Sequence, residues 1–190
     1  MHGRVLLASV LLALGACSRK PVVFSSPTGG YSVRLPATHG EVKTRTYAAP
    51  GAEPLLVTEH RAALGTTDYV FMTEHVDLPE VTIQPGEERR FLRMIVNAWV
   101  AKLRGNVEEI RDVTFDGRPA LECVTTLQIP VGLFPEAAFQ NSPFNRRSRI
   151  LLIQNRLIAL HFGVIERWKL DHAAGKDFFD SFVYGGPKSP

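Results

Sequence analysis

Few residues in this chain have the types and spacing that chemistry needs. A tripeptide occurs twice, as Thr58-Glu59-His60 and as Thr73-Glu74-His75. Two histidines with carboxylates nearby form a zinc donor set. If the segments 55–64 and 69–78 are the arms of a hairpin and its loop is two residues long, Glu59 stands opposite Glu74. His60 and His75 then share the other face, placed diagonally. Zinc motifs carry tighter spacing than this, and the same residues suit a polar, partly exposed sheet face. Cys123 alternates with Leu121, Leu127 and Ile129 on its side, the pattern of a small buried hydrophobe rather than of an exposed reactive thiol. Arg146, Arg147 and Arg149, with Arg156 beyond, form a cationic cluster. It could meet lipid headgroups or another anionic partner, or serve as a solvated strand edge that discourages edge-to-edge pairing. The chain has no Gly-x-Ser-x-Gly elbow, no His-Glu-x-x-His, no Walker loop and no dinucleotide fingerprint. No catalytic residue and no cofactor is therefore expected, and metal ligation rests on His60, His75 and Glu74 alone.

The N-terminal stretch is more explicit. Arg4 and the N-terminal amine precede an apolar run from Val5 to Leu14. About ten residues suffice for a secretory leader, whereas a spanning helix needs about twenty. The run ends in Leu14-Gly15-Ala16-Cys17, which resembles the lipobox of bacterial lipoproteins. That resemblance implies a diacylglycerol on the Cys17 thiol, cleavage before Cys17, and acylation of the new amine, palmitate being a typical chain. Each buried methylene contributes about 0.8 kcal/mol, so several chains hold stably where one holds marginally. Ser18 follows where an Asp would retain a lipoprotein at the inner membrane, so the resemblance implies the outer membrane, facing the periplasm.

Cleavage leaves 174 of the 190 residues, enough for one domain with its own core. A hydrophobic content of 45% suits a globular fold. The net charge of +3 falls to +2 without Arg4, too balanced for a nucleic-acid binder. With Cys17 acylated, Cys123 has no intramolecular partner, and the core alone must hold the fold. The expected layout is a leader over 1–16, the lipidated cysteine and a short tether over 17–21, one domain over 22–184, and a disordered tail over 185–190.

Within the domain, Val22–Ser25 and Tyr31–Leu35 read as strands around Pro27-Thr28-Gly29-Gly30, and Glu41–Tyr47 as a polar edge strand. Pro85–Arg104 is the clearest helix, with Leu92, Ile95, Val96, Trp99 and Leu103 on one stripe and Gly105 as its stop. Val107–Phe115 and Arg118–Ile129 form a hairpin about Asp116-Gly117, which puts Arg111 opposite Glu122 and Ile110 opposite Cys123. The irregular segment 130–145 is a flap or a packed connector. Ile150–Ile153 and Leu157–Val164 are apolar on both faces, as strands in the middle of a covered sheet are. Asp171 is expected to cap a last helix carrying Phe178, Phe179 and Phe182. The sum is an α+β fold: a three-layer α/β/α sandwich around one mostly antiparallel sheet of about seven to nine strands.

Five pieces resemble the PsbP-like fold: Phe24 with Tyr31 to Pro36, the mid-chain helix, Gly117-Arg118-Pro119-Ala120, the hairpin Arg149 to Val164, and Phe178-Phe179-Asp180-Ser181-Phe182. Members of that family are mostly accessory proteins that bind other proteins or small ligands, and no family active site exists to carry over. The implied function is that of a non-enzymatic, membrane-anchored accessory or assembly protein with an envelope protein partner. A second reading is a periplasmic carrier or sensor of an apolar small ligand, and a third is an envelope hydrolase using His60, His75 and Glu74. The oligomeric state is left open.

Overall fold

A computed structural model describes residues 21–35, 41–47, 55–64, 69–78, 81–128 and 143–185. The leader, Cys17 and most of the expected flap and tail lie outside these residues. In order, the elements are β1 (Val22–Ser25), β2 (Tyr31–Leu35), β3 (Glu41–Tyr47), β4 (Leu55–Leu64), β5 (Tyr69–Asp77), α1 (Glu88–Lys102), β6 (Asn106–Phe115), β7 (Arg118–Gln128), β8 (Pro143–Ile153), β9 (Arg156–Val164), a 3-10 turn (Arg167–Asp171), α2 (Ala173–Asp180) and β10 (Val183–Tyr184).

The strands form two sheets, not one. Seven lie in the order β3-β4-β5-β9-β8-β7-β6, with every neighbouring pair antiparallel. The other three form a small sheet, β1-β2-β10. The expected single sheet is therefore corrected. Tyr31, Val33 and Leu35 are buried while Ser32 and Arg34 are not, so β2 lies as a cover on a face of the main sheet.

Both faces of the main sheet are covered. On one, Leu92, Val96 and Val100 of α1 pack on Leu121, Ile150, Leu157 and Ala159. On the other, the small sheet and α2 bring Tyr31, Val33, Phe178 and Phe182 onto Phe71, Leu151, Ile158, Leu160 and Phe162. This explains why Leu157 through Val164 are buried without a break.

Local chemistry sets the connections. Asp116 and Gly117 have φ of 49° and 73°, the pair of positive values that a type I′ turn needs. Arg111 does stand opposite Glu122, and Ile110 opposite Cys123. Helix α1 starts three residues later than expected, since Gly86 at φ 91° belongs to the preceding turn. Its left-handed C-terminal residue is Arg104 (φ 50°), not Gly105. Gly105 closes the helix through its N–H to the Val100 carbonyl, and it has no room for a side chain: a Cβ there would stand 2.5 Å from the Thr126 carbonyl oxygen. The cap of α2 is His172, whose Nδ1 accepts from the Ala174 N–H; Asp171 ends the 3-10 turn instead.

Candidate functional site

Strand alternation sends neighbouring residues to opposite faces, and on this sheet it builds two polar clusters. The first lies beneath α1. The register puts Cys123 opposite Ser148 and Ser148 opposite His161. Ser148 Oγ is 2.7 Å from His161 Nδ1, and His161 Nε2 is 3.8 Å from Glu74 Oε2. Trp99 of α1 meets the imidazole edge-on, with ring centres 5.8 Å apart. Arg146 enters from the next row of β8 and is also buried. Burial pushes its guanidinium pKa down, against the opposing pull of Glu74 and Cys123. Burial likewise pushes the Cys123 thiol up, so it stays protonated and unreactive.

Serine, histidine and glutamate in contact are the parts of a nucleophilic triad. Here the serine is on Nδ1 and the carboxylate on the Nε2 side, and the site is shut: Ser148 is 0% and His161 2% exposed. A nucleophile must reach its substrate, and the Ser148 hydroxyl is buried against His161. The ring contact with Trp99 joins His161 of β9 to α1.

The second cluster lies between the main sheet and the small one. The Tyr31 hydroxyl donates to Thr73 Oγ1 at 2.9 Å, and Thr28 Oγ1 is 3.1 Å from His75 Nε2. Arg156 donates to both Asp77 oxygens, at 2.6 and 2.9 Å, and to the Gly29 carbonyl at 3.0 Å. Burial, then the positive charge of Arg156, lowers the His75 pKa. Burial raises that of Tyr31 despite its hydrogen bonds. These contacts pin the 26–31 turn onto β5 and β9.

The expected zinc ligands do not all share one face of the sheet. Glu59 does pair with Glu74, and His60 with Thr73. But Glu74 faces α1 while His75 faces the small sheet, so the two cannot share an ion. Among the described residues no group of three or more His, Cys, Asp or Glu could hold a metal.

The arginine cluster is corrected as well. β8 lies between β7 and β9 and is not an edge. Arg146 is buried on the α1 face. Arg147 and Arg149 point the other way, Arg147 to Asp171 at 2.8 Å. Arg149 Nε and Nη2 hold Glu122 Oε1 at 2.9 and 2.6 Å, while its Nη1 donates to the Phe179 carbonyl. Its guanidinium also lies over the rings of Phe115 and Phe179. The three arginines thus form no common anion patch.

The sequence offers none of Ser148, His161, Tyr31 and Thr73 as a site residue, although Thr73 lies in the repeated tripeptide and Tyr31 in an alternating strand. The signal for one was present: His161 interrupts an otherwise apolar run, Leu157 to Val164, where only a satisfied polar group is tolerated. Cys17, the expected lipidation site, lies outside the described residues. No helix among those residues is long and apolar enough to cross a membrane.

No family model matches the chain, and no curated protein matches it. Among solved structures it is similar to the PsbP protein of the cyanobacterium Synechocystis (CyanoP), at 14% identity and a TM-score of 0.54, over 90% of this chain and 95% of that one. A protein of unknown function from Pseudomonas aeruginosa aligns over 90% of this chain and 98% of its own, at 10% identity and a TM-score of 0.45. The antiparallel sheets with their two helices, and the likeness to cyanobacterial PsbP, give this chain a PsbP-like fold.

Proposed function

We propose that this chain is a non-catalytic accessory protein of the bacterial cell envelope, held by acyl chains on Cys17 and binding a protein partner. The observation that carries the reading is Leu14-Gly15-Ala16-Cys17 at the end of a ten-residue apolar run. Ser18, where an inner-membrane lipoprotein would carry Asp, supports the periplasmic side of the outer membrane. Two further points support a binding role over turnover. The groups with the most chemistry, Ser148 and His161, are closed beneath α1, and the PsbP-like resemblance brings binding proteins rather than an active site.

The test is metabolic labelling with tagged palmitate, combined with crosslinking of the full-length chain in intact cells. The expected result is label on the wild-type chain and none on Cys17→Ala, with one reproducible protein partner lost in that variant. A wild-type chain without label would sink the anchor. A labelled chain that co-purifies with a small apolar molecule and no protein would replace the accessory role with that of a carrier.

A further inference from the structure

The small sheet turns one face to the core and one away from it. Phe24, Tyr31 and Val33 face inward. Alternation then turns Val23, Ser32 and Arg34 outward, and the pairs Val23–Arg34 and Ser32–Val183 place Val183 on the same outer face. Val23 is 63% and Val183 60% exposed. Two of the five exposed large hydrophobics among the described residues thus share this outer face, one on each strand flanking β2, and apolar residues left bare on one face mark a contact surface.

A cation stands among these valines: Arg34, exposed on the same face and opposite Val23. Arg19 and Lys20 immediately precede Pro21 and Val22 in the sequence. Only four residues separate Cys17 from Val22, a reach of at most about 18 Å even when fully extended. An acylated Cys17 would therefore keep this sheet within that distance of lipid. Apolar residues beside an exposed arginine, on a face close to lipid, are what an interfacial contact requires, the side chains entering the headgroup boundary and the cation meeting phosphate.

We propose that the outer face of the β1-β2-β10 sheet is a second membrane contact, with Val23 and Val183 seated against the bilayer and Arg34 on its phosphates. The proposal rests on the reading that Cys17 is acylated. It orients the whole domain: the layer formed by α1 lies on the opposite side of the seven-stranded sheet and faces away from the membrane.

The test uses the full-length chain, matured in cells and reconstituted into vesicles of phosphatidylethanolamine and phosphatidylglycerol. A nitroxide is placed by Val23→Cys or Val183→Cys, and by Met94→Cys on the outer surface of α1; the native Cys123 is buried and does not compete. An unchanged urea midpoint shows that each labelled variant is folded. At 23 and 183, oxygen is expected to relax the label several-fold more effectively than a water-soluble nickel complex, and at 94 the preference reverses. Palmitate-bearing protein whose labels at 23 and 183 behave like the label at 94 would overturn the membrane face and leave the anchor standing. Labels at 23 and 183 that are shielded only when envelope protein is added would make the face a protein interface and overturn it too. A chain that carries no palmitate would remove the anchor, and this proposal with it.

Discussion

Ser148 and His161 face each other across the β8–β9 ladder, Oγ 2.7 Å from Nδ1, with neither side chain open to water. A buried hydrogen bond matters less for the energy it adds than for the group left bare when it is broken. Ser148→Ala leaves Nδ1 of a buried imidazole without this partner and is expected to cost about 1–3 kcal/mol. Urea unfolding measures the loss. Because Trp99 lies against the imidazole, the fluorescence of Trp99 in a Trp168→Phe background should shift in the same variant. A stability change with no shift in emission would mean that His161 keeps its place without Ser148.

Glu122 is held from both sides, by Arg149 on one oxygen and by Arg111 on the other. The two pairs differ in burial: the Arg149 side chain is 16% exposed and that of Arg111 68%. Arg149→Ala takes the more buried of its two partners from a nearly buried carboxylate and should cost about 3 kcal/mol, whereas Arg111→Ala should cost no more than about 1 kcal/mol. Burial alone would raise the Glu122 pKa, but the hydrogen bonds from Arg149 and Arg111 outweigh it and hold the carboxyl below its ordinary 4.5. Its stabilising contribution is thus complete above pH 4.5 and is lost as pH falls toward the lower folded value. In Arg149→Ala that acid-side loss should shrink. Equal costs for the two arginine variants would contradict this ranking.

What could be read from the sequence was local. The α1 stripe repeats within one helix, and Asp116-Gly117 dictates its own turn, so both are legible without knowing the fold. The small sheet was not, because β10 is two residues long and its register to β2 is set by where α2 ends. The cluster beneath α1 was hidden for a related reason. Asn145-Arg146-Arg147-Ser148-Arg149 reads as polar surface, yet it lies inside the sheet. Ser148 has its partner in His161 of β9, and Arg146 lies within electrostatic reach of Glu74 in β5 and Cys123 in β7, whose proximity no sequence window contains. Likewise Glu74 and His75 looked like partners because they are adjacent, and adjacency in a strand is what separates them.

His75 makes the small sheet sensitive to pH. Burial, reinforced by Arg156, lowers its pKa from the usual 6.5, so the folded state holds the neutral ring with Thr28 on Nε2. The unfolded chain takes up the proton first as pH falls. Stability from this group is therefore complete above about pH 6.5 and declines below it, toward the lower folded pKa. The expected observation is a urea midpoint that drops between about pH 7 and pH 5, with a smaller drop in His75→Gln. A His75→Gln variant with the same slope as wild type would assign the pH dependence to another group.

Gly163 is needed for space, not for its backbone freedom. It sits in β9 between Arg146 of β8 and Val70 of β5, and the Phe144 ring lies directly over its Cα. A Cβ there would overlap Cζ of that ring and come within 2.6 Å of Cε1 and 2.9 Å of Cε2. Phe144 is itself buried in the α1-side core, so it cannot swing into solvent without opening that core. Gly163→Ala gains about 0.4–1 kcal/mol from the stiffer unfolded chain and loses about 1–3 kcal/mol to overpacking, so the net effect should be destabilising. Phe144→Ala alone should cost about 3–5 kcal/mol, since it leaves a cavity. With both changes the new methyl group occupies part of the space the ring vacates, and the double variant should be more stable than the two losses added together. Strict additivity in a double-mutant cycle would mean that the ring and the glycine do not meet.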